Sequence, residues 1–277
     1  MFQLRHNGKG IWFGQFSLFP QEGLVHGIST RLGGVSKLPF ASLNMALHTG
    51  DEADAVCANR RLFCETLCVK PERLVTLRQV HGERVHRVRS DEAGRGSKVY
   101  DDSVLQADAL ITNELDVPLM LCFADCVPVL FYDPVQRVVA AAHAGWKGTV
   151  SRITQKTVQQ MRQECNSRPE DVLAGIAPAI GPCCFEVSEA VSEKFCKAFP
   201  QYPEIISYSS EGRIFIDLWA ANRLQLEEEG LLPRHIDSAD VCTKCSAELF
   251  YSYRKAQGTT GRFAALISLT DVVEQSD

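Results

Sequence analysis

The sequence predicts an α/β fold built around a mixed β-sheet in one domain. Its 277 residues are 45% hydrophobic and 23% charged, which is typical of a globular chain with an ample core. Apolar runs of strand length cluster near the start and alternate with helical segments in the middle, which favours a mixed sheet over a strict βαβ series. Because no linker or low-complexity run divides the chain, we expect one domain over residues 1–277.

The individual elements follow from hydrophobic runs and capping residues. A polar, glycine-rich loop, TRLGGVSKLPFASLNMALHTGD, follows the first strands. The predicted helices are 55–68 capped by Asp51 or Asp54, 150–164, one beginning at Ser188, and one from Asp217 as N-cap to Gly230. The predicted strands are 74–80, 84–88, 109–112, 119–123, 127–132, 138–142, 172–176 and 263–269. We expect the apolar runs between 109 and 142 to be central strands of one buried sheet.

Charge excludes several classes of partner. The net charge of −5 comes from 29 basic and 34 acidic residues, so no overall basic field exists to hold a nucleic acid or an anionic membrane. No apolar run approaches a membrane span or a signal core, so we expect a cytoplasmic protein, as a monomer or a weak homo-oligomer. The sequence has no P-loop and no GxGxxG after a strand, which disfavours nucleoside triphosphates and dinucleotides as ligands.

Three side chains able to bind a metal lie at the edges of apolar strands. They are His81 in VTLRQVHG, Cys126 in LCFADCVPVLF and His143 in VAAAHAGWKG. Two imidazoles and one thiolate form a zinc set with one open position, which indicates catalysis. Their spacing matches no local zinc motif, and two alternatives remain. The histidines can simply bond backbone beside a buried cysteine, or Cys126 and His143 can form the thiolate and base of a cysteine hydrolase.

A series of segments in this order resembles the YfiH-like family, also called the laccase-domain or purine nucleoside phosphorylase family, and in particular its bacillar YlmD branch. The segments are HGISTRLGGVS, SLNMALHTGD, QVHG, ADALIT, FADCVPVLFYD, AAHAGWKG, PAIGPCCFEV, VCTKC and YRKAQGTTGR. They cover about residues 20 to 270. The resemblance implies two packed sheets flanked by helices and places the metal ligands on His81, Cys126 and His143.

The resemblance also implies a purine nucleoside enzyme that uses zinc, with copper as the alternative ion. The expected reactions are phosphorolysis of adenosine, inosine, guanosine and S-methyl-5′-thioadenosine, and deamination of adenosine. We assign catalytic roles to Asp125, Cys126 and His143, with Asp125 moving a proton unless it is only a turn residue. The expected small-molecule partners are purine nucleosides and phosphate.

Phosphate and nucleoside need charged and polar groups beside the metal. Guanidinium groups bind phosphate bidentately, and Lys147 opens a predicted helix whose amides add to its charge. Taken singly, each arginine is better explained as a solvated surface charge, but as a group that matches the family's motifs we expect at least two of these cations to face the site. The candidates for binding substrate are Arg31, Asn44, Arg78, Gln79, Lys147, Arg254 and Arg262, and His48 is expected near the pocket.

Cys242 and Cys245 form a C-x-x-C, a spacing found in redox pairs and in halves of zinc sites. No second C-x-x-C completes a four-cysteine site, because Cys183 and Cys184 are adjacent. We therefore expect two free thiols in a loop that lines the pocket, with a reversible disulfide as the alternative.

Three other functions compete with nucleoside chemistry. The laccase name suggests copper-dependent polyphenol oxidation, but seven histidines without an H-x-H are too few for several copper centres. Hydrolysis of muramyl-peptide precursors during cell-wall editing is a further alternative that the sequence does not exclude. A metal-stabilised binding module without turnover would not need the open coordination position.

Overall fold

The computed structural model describes residues 1–271, which form fourteen strands and six helices. The strands are β1 (Phe2–His6), β2 (Trp12–Phe16), β3 (Leu24–Ser29), β4 (Val85–Arg87), β5 (Ala109–Thr112), β6 (Leu119–Phe123), β7 (Val127–Asp133), β8 (Val138–Ala144), β9 (Leu173–Ile176), β10 (Glu186–Val187), β11 (Ile206–Tyr208), β12 (Ile214–Ile216), β13 (Ile236–Ser238) and β14 (Phe263–Leu269). The helices are α1 (Ala53–Thr66), α2 (Trp146–Val150), α3 (Ile153–Cys165), α4 (Glu189–Ala198), α5 (Leu218–Glu228) and α6 (Tyr253–Ala256).

Two large sheets dominate the fold, and a small one lies beside them. The first is antiparallel, in the order β1-β2-β3-β14-β6. The second, in the order β13-β9-β7-β8-β5-β4, is mixed, since β13 with β9 and β4 with β5 run parallel. The small sheet has the order β10-β12-β11. The predicted α/β fold with mixed sheets is confirmed.

The two large sheets pack face to face and helices cover their outer faces. Phe123 and Phe263 of the first sheet share one buried cluster with Leu130 of the second. A second cluster joins the other face of the six-stranded sheet to α3 and α5, and a third joins the five-stranded sheet to α1. Strands buried on both faces read as continuous apolar runs, which is why their positions were predictable. No helix within residues 1–271 combines the length and apolar character needed to cross a membrane.

Several predicted elements differ from the structure. The runs between 109 and 142 divide between the two large sheets, because β6 pairs with β14 whereas β5, β7 and β8 pair with one another. The strand expected over 74–80 is reduced to isolated bridges at Val75 and Leu77. The helix expected over 150–164 is two helices, interrupted at Arg152, whose φ of 64° is left-handed.

The predicted N-cap of α5 is confirmed, whereas the predicted N-cap of α1 is wrong. Glu52, not Asp51 or Asp54, precedes α1, because the Asp51 carboxylate accepts hydrogen bonds from Ser36 and Asn44. Asp217 caps α5 as predicted, and its carboxylate accepts from the backbone N–H of Ala220.

Candidate metal centre

His81, Cys126 and His143 converge at one end of the two large sheets. One nitrogen or sulfur atom from each lies within 4.8 Å of the other two, and the imidazole centroids are 4.8 Å apart. His143 is on β8 and is buried, Cys126 precedes β7 and is half-buried, and His81 is exposed. Two imidazoles and one thiolate suit zinc and leave a coordination position toward solvent.

The chain path explains why Cys126 points into this site. Phe123 ends β6 in the five-stranded sheet and Val127 begins β7 in the six-stranded sheet, so the chain crosses between the sheets at residues 124–126. The crossing is a sharp turn in which Asp125 has a φ of 86°. His81 also has a positive φ, of 58°. Non-glycine residues seldom adopt this conformation, and those that do cluster at functional sites.

Asp108 holds the two histidines in place, and sequence reasoning missed it. Its buried carboxylate lies 2.8 Å from Nδ1 of His143, which leaves Nε2 for a metal. The same carboxylate accepts the backbone N–H of His81 at 3.0 Å and of Gly82 at 2.6 Å. A carboxylate that orients a ligating imidazole is a common support of metal sites. The available signal was an acidic residue at the start of the apolar strand in ADALIT.

The three ligands form an electrostatically coupled group. Burial alone would raise the pKa of the Cys126 thiol, but the charges of His143 and His81 and their hydrogen bonds lower it to about 6. Burial alone would lower the pKa of His143, but Cys126 and Asp108 raise it to about 9. The pair therefore favours a thiolate beside a protonated imidazole. A metal cation bound at this site would replace that proton, so metal binding would release a proton.

A cavity of about 500 Å³ opens onto the three ligands, a volume suited to a small molecule. The other lining residues are His48, Gln79, Cys122, Phe123, Ala124, Asp125, Trp146, Ile180, Phe185, Tyr253, Arg254 and Arg262. His48 therefore lies at the pocket, as expected from its segment. The aromatic walls come from residues that sequence reasoning did not single out, because no local pattern distinguishes them from core residues.

Asp125 and Gln79 line the cavity but have intramolecular partners. Asp125 Oδ1 accepts from the Thr243 hydroxyl at 2.7 Å, and Oδ2 accepts from the backbone N–H of Arg254 at 2.6 Å. The side-chain amide of Gln79 pairs with both the N–H and the C=O of Cys122. The Asp125 carboxylate is thus rigidly oriented and retains free lone pairs, whereas Gln79 joins His81's segment to β6.

Arg254 and Arg262 are the two predicted cations that reach the cavity. Within residues 1–271, neither forms an ion pair with a carboxylate. Arg254 donates to the carbonyl of Glu186 at 3.0 Å, and Arg262 donates to the carbonyls of Thr260 and Gly261. Their charge is therefore not neutralised by a carboxylate in the described part of the chain.

Four predicted substrate-binding residues lie outside the cavity wall and have other partners. Arg31 donates to the carbonyls of Ala41 and Ala247 and so braces loops. Asn44 is fully buried in the glycine-rich loop, and its amide oxygen accepts the N–H of Arg262. Two further cations take surface positions: Arg78 pairs with Asp101, and Lys147 is exposed with its ammonium 5.7 Å from the Trp146 ring.

The prediction that the C-x-x-C loop lines the pocket was also wrong. Cys242 and Cys245 do not line the cavity, and their sulfurs lie against those of Cys183 and Cys184. Cys183 and Cys184 do not have the C-x-x-C spacing, but their loop brings both sulfurs close to those of Cys242 and Cys245.

Comparison with known proteins identifies the family. The model of a family described as multi-copper polyphenol oxidoreductase laccase matches residues 25–270. The chain belongs to this laccase family. Similar to it is the purine nucleoside phosphorylase YlmD of Geobacillus stearothermophilus, at 42% identity over 90% of this chain and 91% of that one. A purine nucleoside phosphorylase of Bacteroides thetaiotaomicron is 36% identical over 92% of this chain and 95% of its own length.

Solved structures share the laccase-family fold. The crystal structure of YlmD from Geobacillus stearothermophilus has a TM-score of 0.91 at 39% identity and covers 97% of this chain and 99% of that one. That of the hypothetical protein YfiH from Bacillus licheniformis has a TM-score of 0.90 at 34% identity, covering 96% and 99%. The predicted resemblance is therefore confirmed, and the segments that carry His81, Cys126 and His143 lie within the matched residues 25–270.

Proposed function

We propose that the protein is a zinc-dependent purine nucleoside phosphorylase that cleaves adenosine, inosine, guanosine and S-methyl-5′-thioadenosine with phosphate. One observation carries the proposal: a cavity of about 500 Å³ joins a His₂Cys set to two arginines that have no carboxylate partner among residues 1–271. The curated relatives named above as purine nucleoside phosphorylases support it, since they match about nine-tenths of this chain.

Arg254 and Arg262 are assigned to phosphate. Each guanidinium has N–H groups beyond those bonded to backbone carbonyls, and a guanidinium matches the geometry of phosphate oxygens. The ring of Tyr253 lies 5.7 Å from the Arg262 guanidinium carbon, and that of Phe185 lies 5.3 Å from that of Arg254. These contacts hold both cations at the cavity wall without neutralising them.

The aromatic side chains of the cavity are assigned to the nucleoside. Phe123, Trp146, Phe185 and Tyr253 give apolar surfaces on which a purine can lie, and the polar groups occupy the ligand end. This division between an apolar wall and few polar groups is typical of small-molecule sites. Ribose then lies between the base and the bound phosphate.

Phosphorolysis forms a bond from a phosphate oxygen to C1′ of ribose while the C1′–N9 bond breaks. The electron pair of that bond goes to the departing base, which takes up the proton of the hydrogen phosphate, giving a free purine and ribose 1-phosphate, or its 5′-methylthio analogue. His81, Cys126 and His143 would hold the zinc ion, which would supply Lewis-acid stabilisation of developing negative charge. Arg254 and Arg262 align the attacking phosphate with C1′, and holding reactants in this way lowers the barrier to displacement.

Deamination of adenosine is a second activity at the same centre. It is favoured by the position of Asp125, directly before the ligand Cys126 and fixed by two hydrogen-bond donors. A carboxylate oriented in this way can accept a proton from an attacking water and pass it to the leaving amine.

Copper-dependent oxidation by several metal centres is disfavoured. Of the seven histidines in the chain, only His81 and His143 belong to a metal-capable cluster among residues 1–271. The other such cluster contains only cysteines, which do not provide the histidine-rich environment of multi-copper oxidation.

The experiment separates the phosphate site from the metal centre. Inosine and adenosine are incubated with and without phosphate, and the products are separated by chromatography. Arg262→Ala and Arg254→Ala should each raise the KM for phosphate roughly 10- to 150-fold, which corresponds to about 1.5 to 3 kcal/mol for a charge-assisted contact. Adenosine deamination should change little.

Arg168→Ala is the matched control, because Arg168 is exposed and pairs with Glu170 and Asp171 away from the cavity. Equal losses of phosphorolysis and deamination in the Arg262 variant would contradict a separate phosphate site. Cleavage of inosine that proceeds equally without phosphate would show a hydrolase instead.

A further inference from the structure

Four cysteines form a second cluster next to the proposed active site. The Sγ atoms of Cys183, Cys184, Cys242 and Cys245 all lie within 4.8 Å of one another. Cys183 and Cys245 are exposed, Cys184 is half-buried and Cys242 is buried, and all four are free thiols. The proposed reaction uses none of them.

Two loops distant in sequence bring these sulfurs together. Residues 181–185 form a tight turn, closed by the Cys184 N–H donating to the Gly181 carbonyl at 2.9 Å. Residues 242–245 form a second turn, and an isolated parallel bridge joins Ala179 to Cys242. This bridge fixes the position of the C-x-x-C relative to the adjacent pair.

The sulfur positions fit a single tetrahedral ion. Sγ of Cys245 lies 3.7 Å from that of Cys183 and 3.5 Å from that of Cys184. Four thiolates about 2.3 Å from a zinc ion stand about 3.8 Å from one another. The backbone N–H of Gly181 also donates to Sγ of Cys242 at 3.3 Å, a contact that supports a negatively charged sulfur.

We propose that Cys183, Cys184, Cys242 and Cys245 bind a structural zinc ion. Four thiolates fill the tetrahedral coordination of zinc, so this site is closed to substrate, unlike the three-ligand centre. Its role is to fasten the loop that carries Phe185 of the cavity wall to the loop that orients Asp125. The turn over 181–185 carries Phe185, and Thr243 between the other two ligands bonds Asp125.

The test isolates this site from the other. A His81→Ala, Cys126→Ala double variant lacks two ligands of the three-residue centre but keeps the four cysteines. Purified under reducing conditions, it should retain about one zinc ion per chain, with an X-ray absorption spectrum of four sulfur neighbours at about 2.3 Å. Because this measurement leaves Cys183, Cys184, Cys242 and Cys245 unchanged, it does not depend on the folding of a variant that lacks one of these four cysteines.

Wild-type protein should hold about two zinc ions per chain, and a Cys183→Ser, Cys245→Ser variant should hold about one fewer. Cys196→Ser is the control, because Cys196 is an exposed thiol outside both clusters. A metal-free His81→Ala, Cys126→Ala variant, or one whose zinc has nitrogen or oxygen neighbours in place of four sulfurs, would overturn the proposal. If the proposal for His81, Cys126 and His143 were wrong and the four-cysteine proposal right, wild-type protein would hold one zinc ion, with four sulfur neighbours, and no second ion.

Discussion

Asp108→Asn is the substitution that most sharply tests how the metal ligands are held. Asparagine has the same shape but carries no charge and offers one acceptor oxygen in place of two. In the protein, Oδ1 of Asp108 faces His143 Nδ1 and the His81 N–H, and Oδ2 accepts from Gly82 and Val80. The amide NH₂ must therefore face the donors of one pair.

The size of the effect follows from these contacts. Leaving a buried donor unsatisfied costs about 1 to 3 kcal/mol, so the variant should lose roughly that much stability. The imidazole of His143 also loses the negative charge that orients it, and removal of such a partner weakens metal affinity about 10- to 100-fold. We expect kcat/KM for nucleoside cleavage to fall together with metal affinity.

Competition with a chelator of known affinity measures metal binding, and urea unfolding measures stability. Asp133→Asn is the control, since Asp133 is equally buried but caps a turn through Val135 and Gln136 away from the site. If Asp108→Asn and Asp133→Asn bound zinc with equal affinity, the orienting role of Asp108 would be refuted.

Two other substitutions probe packing and protonation. Gly145→Ala should weaken metal binding at least about 10-fold in the same chelator competition. A Cβ at this position would lie 2.8 Å from His81 Nδ1 and 3.1 Å from Cys126 Sγ. Unchanged affinity would contradict this crowding. Burial and the charge of Arg5 lower the pKa of His26 from 6.5 to about 4. The unfolded state therefore binds more protons between these values, and stability should fall by about 2 kcal/mol as the pH drops from about 7 to about 5. His26→Gln keeps an acceptor for the backbone N–H that His26 binds and should remove this part of the pH dependence in urea unfolding; identical pH dependence in both proteins would refute it.

Elements of the fold were predictable where one physical signal dominated. The strands over 109–112 and 263–269 have the predicted bounds, because continuous apolar runs there meet turn residues. The division of the strands between two sheets was not predictable, since pairing of β6 with β14 joins residues more than 130 positions apart. The helix predicted over 150–164 is interrupted at Arg152, whose backbone is left-handed. The sequence did not predict this interruption, because arginine as a residue type does not indicate a left-handed backbone.

The convergence of the three candidate ligands was predictable from the sequence, whereas the surroundings of the candidate site were less so. His81, Cys126 and His143 lie at strand edges, where tertiary structure makes them converge. The sequence did not show which arginines reach the cavity, because the direction of a long side chain depends on its neighbours in the folded protein. Arg254, for example, lies over the ring of Phe185, which is far from it in the sequence. Asp108 acts through hydrogen bonds to two separate segments, and no local spacing reveals such a contact.

The most direct test of a catalytic metal at His81, Cys126 and His143 compares metal-loaded with metal-free protein. Metal is removed by chelation and verified by elemental analysis, phosphorolysis is measured before and after zinc is restored, and alkylation of Cys126 by iodoacetamide is followed by peptide mass spectrometry. We predict that activity disappears with the metal and returns with zinc, and that Cys126 reacts slowly in the loaded protein, where the ion shields its thiolate. Full activity in verified metal-free protein, together with rapid alkylation of Cys126 that abolishes it, would contradict the metal centre and indicate a Cys126–His143 nucleophile.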